Sequence, residues 1–263
     1  MYDFAYQKPT SVAAAATLLA DPEAKALAGG QTLIPVLKQR LNKPSTVVDL
    51  AKLGLSGITV TATTVTIGAT TTHVTVATSA EVAKAIPALA HLASHIGDRA
   101  VRYRGTIGGS LANNDPSADY PAAALALAAT IKTNKRAIAA SDFFAGLFTT
   151  VLEADEIITA VEFPIPAKAA YVKFPNPASR YAMVGVFVAS GPNGVRVAVT
   201  GAGQNGVFRH EAFEQALSAN WSAAALAGIA TPADGLNSDI HGSAAYRAHL
   251  VDVIAKRAVA AAG

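Results

Sequence analysis

Two glycine pairs set among hydroxyl and amide side chains are the residues of this 263-residue chain whose types and spacing first suggest chemistry. One set is Ala28, Gly29, Gly30, Gln31, Thr32 and Leu33, and the other is Thr106, Ile107, Gly108, Gly109 and Ser110. Glycine lets backbone N–H groups approach a phosphate closely, and a helix starting just afterwards adds the positive end of its dipole. Gln31 and Thr32 supply side-chain donors in the first set. Arg102 and Arg104 precede the second, and Asn113, Asn114, Asp115 and Asp119 follow it, with carboxylates able to accept from ribose or ring N–H donors. Neither set carries the lysine of a Walker loop. Two backbone cradles without that lysine suit a diphosphate stretched between them, so a dinucleotide is favoured over a hydrolysed nucleotide. The residues alone leave nicotinamide and flavin both open.

Other constellations are weaker. Gly201-Ala202-Gly203-Gln204-Asn205-Gly206 is a literal GxGxxG after a strand pattern. It lacks the acidic residue about 20 positions on that a Rossmann unit needs, so it reads as a turn joining a strand to a helix. His91 and His95 share a helical face, but no Glu follows His91, and metal sites need three or four ligands. Asp115 and Asp119 sit in a proline-bounded turn, which leaves a carboxylate pair for glycoside chemistry unsupported. No Gly-x-Ser-x-Gly elbow occurs.

The elements that must position the two sets follow from periodicity. Residues 11–19 read as a helix stopped by Asp21-Pro22, residues 25–28 as a short apolar strand, 33–41 as a helix and 46–50 as a strand. That is a parallel β-loop-α-β unit, with the first glycine set at the carboxyl end of its strand. From 58 the pattern turns Thr- and Val-rich, giving strands at 58–62 and 64–68. Helices follow at 74–77 and 82–95, the second broken at Pro87; then come a Gly-rich loop at 105–110 and an Ala/Leu segment at 121–129. Residues 143–148 read as a loop or helix turn and 156–163 as a strand ended by Pro164. Pro164, Pro166, Pro175 and Pro177 mark a domain joint at 164–177. Beyond it, 181–189 and 195–200 form a β pair around Gly-Pro-Asn-Gly, and Ala-rich helices end the chain.

Composition narrows the function classes. With no Cys, the chain has no disulfide, thiolate zinc site, Cys nucleophile or Cys-ligated iron–sulfur cluster of its own. The net charge is +3 with no Lys/Arg block, so nucleic acid is not an expected partner. Charged residues are 15% of the chain against about 25% in an average soluble domain, which favours a surface covered by other subunits. No apolar stretch is long enough to span a bilayer and the first residues lack a signal-peptide pattern, so membrane insertion is not expected and a cytoplasmic location is.

Four segments, in order, carry a family resemblance: AGGQTLIPVLKQRL (28–41), VRYRGTIGGSLANNDPSADYPAAALAL (101–127), DEIITAVEFP (155–164) and YVKFPNPASRYAMVGV (171–186). Together they resemble the FAD-binding medium subunit of the molybdenum hydroxylases, the family of carbon monoxide dehydrogenase, xanthine dehydrogenase and aldehyde or aromatic hydroxylase complexes. The resemblance implies an α+β fold: a two-lobed vanillyl-alcohol-oxidase/PCMH-type FAD-binding domain over 1–167 (lobes about 1–56 and 57–167), then a small α/β C-terminal domain over 168–263. It implies that the two glycine sets cradle the FAD pyrophosphate and that Asp119 holds the adenosine side. Ile157 or Ile158 would approach the flavin ring through the backbone, Lys173 would lie near its polar edge and Tyr181 beside the isoalloxazine. The family's usual VRNRGT reads VRYRGT here, with Tyr103 in place of Asn.

The implied activity is electron transfer. A large partner subunit holds the molybdenum cofactor, a small one holds two [2Fe-2S] clusters, and FAD in this chain passes electrons to an external acceptor. The implied assembly is a dimer of heterotrimers, and no residue of this chain is implied as a catalytic acid or base. Two alternatives use the same residues differently: a self-contained FAD-dependent oxidase, and an interaction subunit that has lost FAD. The absence of a substrate-site base weighs against the first, and the intact glycine pairs weigh against the second.

Overall fold

The way the strands pair divides the chain into three successive main sheets and a small hairpin, all described here in a computed structural model covering residues 1–263. The first part runs β1 (Ala5–Gln7), α1 (Val12–Leu19), β2 (Lys25–Leu27), α2 (Leu33–Lys38) and β3 (Thr46–Asp49). Its sheet is parallel throughout in the order β1-β3-β2. The Ser11 hydroxyl accepts from the N–H of Ala14 and starts α1. Ala15 and Leu19 then pack on Val48 of β3. The expected β-loop-α-β unit is present, with residues 28–32 at the carboxyl end of β2. Two details differ from expectation: α2 stops at Lys38 with Arg40 at φ 59°, and β1 adds a strand too short to show a pattern in sequence.

The second part starts with β4 (Ile58–Val60) and β5 (Thr64–Gly68). Six short helices follow: α3 (His73–Thr78), α4 (Ala80–Ala85), α5 (Pro87–Ser94), α6 (Arg99–Arg104), α7 (Ile107–Asn113) and α8 (Tyr120–Ala126). Then come β6 (Thr130–Thr133), β7 (Ala137–Ala139), α9 (Ala140–Phe143), β8 (Phe144–Gly146), β9 (Thr149–Thr150) and β10 (Ile158–Pro164). The main sheet is antiparallel in the order β4-β5-β10-β6-β7, and β8-β9 form a separate hairpin. Val65, Ile67, Ile131, Val161 and Phe163 of the sheet join Leu89, Leu92, Ile107 and Leu111 of the helices in one core. Pro87 begins α5, as its position in the sequence predicts. The 105–110 stretch is not the loop its glycines suggest, because Ile107 to Ser110 form the first turn of α7.

The third part holds β11 (Lys168–Pro175), β12 (Ala182–Gly191), β13 (Gly194–Thr200), β14 (Phe208–Arg209), α10 (Glu211–Ala219) and α11 (Ala244–Ala262). The four strands pair antiparallel in chain order. The sheet is covered on both faces. Val184, Val186 and Val188 of β12 pack with Phe213 of α10 and Val251 and Ile254 of α11, whereas Phe187 and Ala189 face the preceding part together with Tyr171 and Ala198. Alternation in side-chain direction therefore feeds two cores, and β12 reads as a continuous apolar run. Most of the proline-rich stretch read as a joint is strand: Pro164 ends β10, Pro175 ends β11, and Pro166 and Pro177 lie outside both. No helix is long and apolar enough to cross a membrane.

Asn114 is the pivot between α7 and the β8-β9 hairpin. It ends α7 in the left-handed region at φ 43° and is 1% exposed. Its amide donates to the carbonyls of Gly146 and Thr149, each at 2.8 Å. Replacing it by Ala removes two buried hydrogen bonds worth about 1 kcal/mol each and adds about 1 kcal/mol of left-handed strain. The expected loss for Asn114→Ala is therefore about 2–3 kcal/mol in urea unfolding, with a smaller loss for Asn114→Gly, which tolerates the backbone. Equal losses for the two variants would contradict the backbone part of this account.

Candidate functional site

The site begins where the first glycine set meets the end of α6. A side-chain carbon on Gly29 would lie 2.1 Å from the carbonyl oxygen of Arg104, so only glycine lets these two backbones touch. Gly30 turns the chain at φ 74° into α2. The backbone N–H groups of Gly29, Gly30, Gln31, Thr32 and Leu33 bond to no protein acceptor, and Thr32 makes no side-chain cap. The Gln31 amide folds back onto the Gly29 carbonyl at 3.2 Å. This is an arc of free donors at the head of a helix, the arrangement that binds phosphate.

The second glycine set has the opposite character. Thr106 caps α7, and the N–H groups of Ile107, Gly108 and Gly109 bond to Thr71 O, Ala69 O and Thr106 Oγ1 at 3.2, 2.9 and 3.2 Å. Four of its five backbone N–H groups, those of Ile107 to Ser110, are committed within the protein, so the two sets are not equivalent cradles. The two glycines also differ. Gly108 is buried, and a side-chain carbon there would lie 2.7 Å from Ala69 Cβ. Gly109 is exposed, and beyond its own cap the nearest neighbour of such a carbon is Ala28 Cβ at 3.9 Å. One set therefore offers donors, and the other a smooth wall across from Ala28.

Beneath this wall lies His73, 4% exposed, its backbone N–H donating to the Gly105 carbonyl and its ring Nδ1 without a partner. Burial, and then the positive charge of Arg102, push its imidazole down to about 4. The ring is neutral under the cradle and lies 5.4 Å from that of Tyr120.

The structure joins two expected site residues in one buried pair. Lys173 Nζ is 2.9 Å from Asp119 Oδ1 and donates to the His95 carbonyl at 3.0 Å, and both side chains are 5% exposed or less. Tyr171, which the sequence did not single out, donates its hydroxyl to Asp119 at 2.5 Å. A side-chain carbon at Gly185 would fall 2.3 Å from that hydroxyl, so the glycine on β12 makes room for it. Burial pushes the Asp119 carboxyl up, against the pull of Lys173 and Tyr171. An ammonium carries three donors, of which Lys173 uses two here.

Ile157 and Ile158 lie in the floor between the lobes, 4% and 5% exposed. The N–H of Ile157 bonds to Asn134 Oδ1 and its carbonyl to Asn134 N, so its backbone is held by the protein. Tyr181 is half exposed, and burial followed by the charges of Asp115 and Asp119 pushes its hydroxyl up. Elsewhere, the GxGxxG segment spends these donors within the protein: Gly201 N bonds to Pro116 O, Gln204 N to Gly235 O and Gly206 N to Gly203 O. The strands flanking it, β13 and β14, are antiparallel, so it is a turn. The rings of His91 and His95 lie 4.2 Å apart, and no group of three or more His, Asp or Glu side chains is placed to hold a metal ion.

An arc of free donors across from Gly109, in an α+β chain, is the geometry a diphosphate cradle needs. Residues 2–166 match the family model described as the FAD binding domain in molybdopterin dehydrogenase. The nicotine 6-hydroxylase medium subunit of Paenarthrobacter nicotinovorans is 36% identical, covering 98% of this chain and 96% of that protein. The carbon monoxide dehydrogenase medium chain of Afipia carboxidovorans is 33% identical over 97% and 95% of the two chains. Among solved structures, quinoline 2-oxidoreductase from Pseudomonas putida 86 superposes with a TM-score of 0.88 at 33% identity, covering 99% of this chain and 97% of that one. The chain belongs to the FAD-binding medium-subunit family of molybdenum hydroxylases and is an oxidoreductase subunit.

Two outcomes follow from the charges at this site. Lys173→Met leaves Asp119 buried without its cation and is expected to cost about 3–5 kcal/mol in denaturant unfolding. Pairing it with Asp119→Asn should recover most of that loss; a double variant no more stable than Lys173→Met would contradict the pairing. His73, with its folded value below the ordinary 6.5, contributes stability that is fully present above pH 6.5 and lost as pH falls towards 4. The full shift corresponds to about 3 kcal/mol. The fall in melting temperature between pH 6.5 and 4 should be visibly shallower in His73→Gln, and a superimposable pH profile would remove His73 from the account.

Proposed function

We propose that this chain carries FAD as the electron-transfer subunit of a molybdenum-containing hydroxylase or dehydrogenase. Electrons would come from [2Fe-2S] clusters of a small partner subunit and leave to an external acceptor, with the molybdenum cofactor in a large partner subunit. The observation that carries the reading is the arc of free N–H groups from Gly29 to Leu33 facing Gly109, which fits the pyrophosphate of a dinucleotide. Family membership favours FAD over a nicotinamide dinucleotide. FAD supplies the redox chemistry, and the protein supplies placement and electrostatics.

In this reading Ala28, Gly29, Gly30, Gln31, Thr32 and Leu33 bind the pyrophosphate, and Thr106, Ile107, Gly108, Gly109 and Ser110 form the opposite wall. The adenosine side expected for Asp119 and the flavin edge expected for Lys173 are opposite ends of the cofactor. The two side chains pair at 2.9 Å and are both buried, so this reading keeps them together as one buried support beside the site. Ile157 and Ile158 shape the floor and Tyr181 flanks the ring. The FAD-binding domain is assigned to 1–167 and the C-terminal domain to 168–263. The whole is placed in the cytoplasm, in a dimer of heterotrimers.

The geometry separates the two glycines of the second set. Gly109→Val fills the exposed side of the wall without touching the core, so flavin per chain should fall about tenfold or more, the equivalent of ~1.4 kcal/mol of binding. The first added carbon would meet the capping Thr106 Oγ1 at 2.9 Å, so a small drop in melting temperature is expected while circular dichroism stays as in the parent. Gly108→Val pushes into Ala69 and should lower the melting temperature as well. Full flavin absorbance in folded Gly109→Val would overturn the cradle assignment.

A further inference from the structure

Ile157 and Ile158 are neighbours in sequence, yet their side chains enter different cores. Successive side chains point to opposite sides where β10 begins, and here the two sides belong to different lobes. Ile158 joins the core beneath the antiparallel sheet. Ile157 is one of six buried side chains in the small core of the first lobe, with Ala15, Leu19, Ala24, Val48 and Leu50. It is a peg from the second lobe seated in the first. The lobes also meet through the chain that links them, where Thr70 N donates to the Leu55 carbonyl at 3.0 Å, and through the contact of Gly29 with Arg104.

The peg is held by the turn between β6 and β7. Asn134 N donates to the Ile157 carbonyl at 3.1 Å, and Asn134 Oδ1 accepts from the Ile157 N–H at 2.7 Å. Asn134 Nδ2 donates to the Asp155 carbonyl at 3.1 Å. One asparagine thus occupies both backbone groups of the peg, so Ile157 acts through its side chain. The rest of the turn grips the same segment. Thr133 Oγ1 and Arg136 Nε donate to Glu156 Oε1 at 2.8 and 2.9 Å, and Lys135 pairs with Glu153 and Asp155, each at 2.6 Å. Hydrogen bonds from Arg136 hold the buried Glu156 carboxyl down to about 2, so this grip stays charged at neutral pH. The β6-β7 pair closes without any of these bonds, through Thr130–Ala139, Ile131–Ile138 and Lys132–Ala137. They serve the segment before β10, and Asn134 is the member that touches the peg. Asn134 is itself exposed, so shortening it opens no cavity.

We propose that Asn134 is a positioning residue: by fixing the peg Ile157 it sets the spacing of the two lobes beside the donor arc. The spacing follows from the contacts themselves, and its consequence for cofactor affinity rests on the function proposed above. The test is a distance between the lobes. The chain has no cysteine, so spin labels at Ala14→Cys on α1 and Glu81→Cys on α4, both exposed, attach nowhere else. Double electron–electron resonance on the flavin-free full chain should give a broader or longer distance distribution for Asn134→Ala and for Ile157→Ala than for the labelled parent. Ile138→Ala empties the second lobe's own core beside the same turn and should leave the distribution as in the parent. On titration with FAD, Asn134→Ala should raise the dissociation constant about tenfold and Ile138→Ala should not. A parent-like distribution in Asn134→Ala, or one in Ile138→Ala as broad as in Ile157→Ala, would overturn the assignment whatever the flavin does. Altered distances with unchanged FAD affinity would confine Asn134 to lobe structure and overturn its role at the site. If the parent takes up no FAD while Asn134→Ala still alters the distances, the proposed function fails and the control of lobe spacing by Asn134 is upheld.

Discussion

The contact on which the site depends is the approach of the Gly29 backbone to the carbonyl of Arg104. A single added carbon would sit 2.1 Å from that oxygen, so any other residue would drive the two lobes apart. Because the chains touch there, the free donors after Gly29 and the start of α7 face one another across a narrow gap. Neither lobe makes that gap alone. The parallel sheet delivers the arc through the carboxyl end of β2, and the helical layer over the antiparallel sheet delivers the wall through Thr106. Gly108 adds a second close approach, against Ala69, which seats the start of α7 on the strand it follows. Glycine is poor in a helix, by roughly 1 kcal/mol relative to alanine. Two glycines in the first turn of α7 make sense only because one must pack against Ala69 and the other must leave space.

The third part is fastened to this site by polar groups placed where water is excluded. Thr200 Oγ1 donates to the Pro116 and Ala118 carbonyls, Gly201 N bonds to Pro116 O, and Tyr171 and Lys173 reach Asp119. All of these converge on the turn between α7 and α8. That turn also carries Asp115, so one short segment serves both the cofactor side and the domain joint. A rigid joint is what a cofactor held between two parts of a chain requires, since a small displacement of either part would open the site to water. Pairing the buried carboxylates with lysine or arginine keeps the joint from being a liability, because an unpaired buried charge costs several kcal/mol.

Local patterns determined much of the protein. The glycine sets, the parallel unit around the first of them, the break at Pro87, the run that becomes β12 and the lack of cysteine all follow from neighbours in sequence. Geometry within a few residues fixes backbone approach, strand alternation and helix starts, so these features are written where they act. The ordered motifs also carried the family, since four of them recur in order between residues 28 and 186. What only the tertiary structure decided was how those pieces use their polar groups. The second glycine set looks like the first in composition, yet its donors are taken by Ala69 and Thr71, about 40 residues earlier. Asp119 and Lys173, 54 residues apart, meet because β11 runs past the head of α8, and Tyr171 joins them through space made by Gly185. Whether a donor is free or committed depends on which distant carbonyl lies within about 3 Å, and no local spacing specifies that.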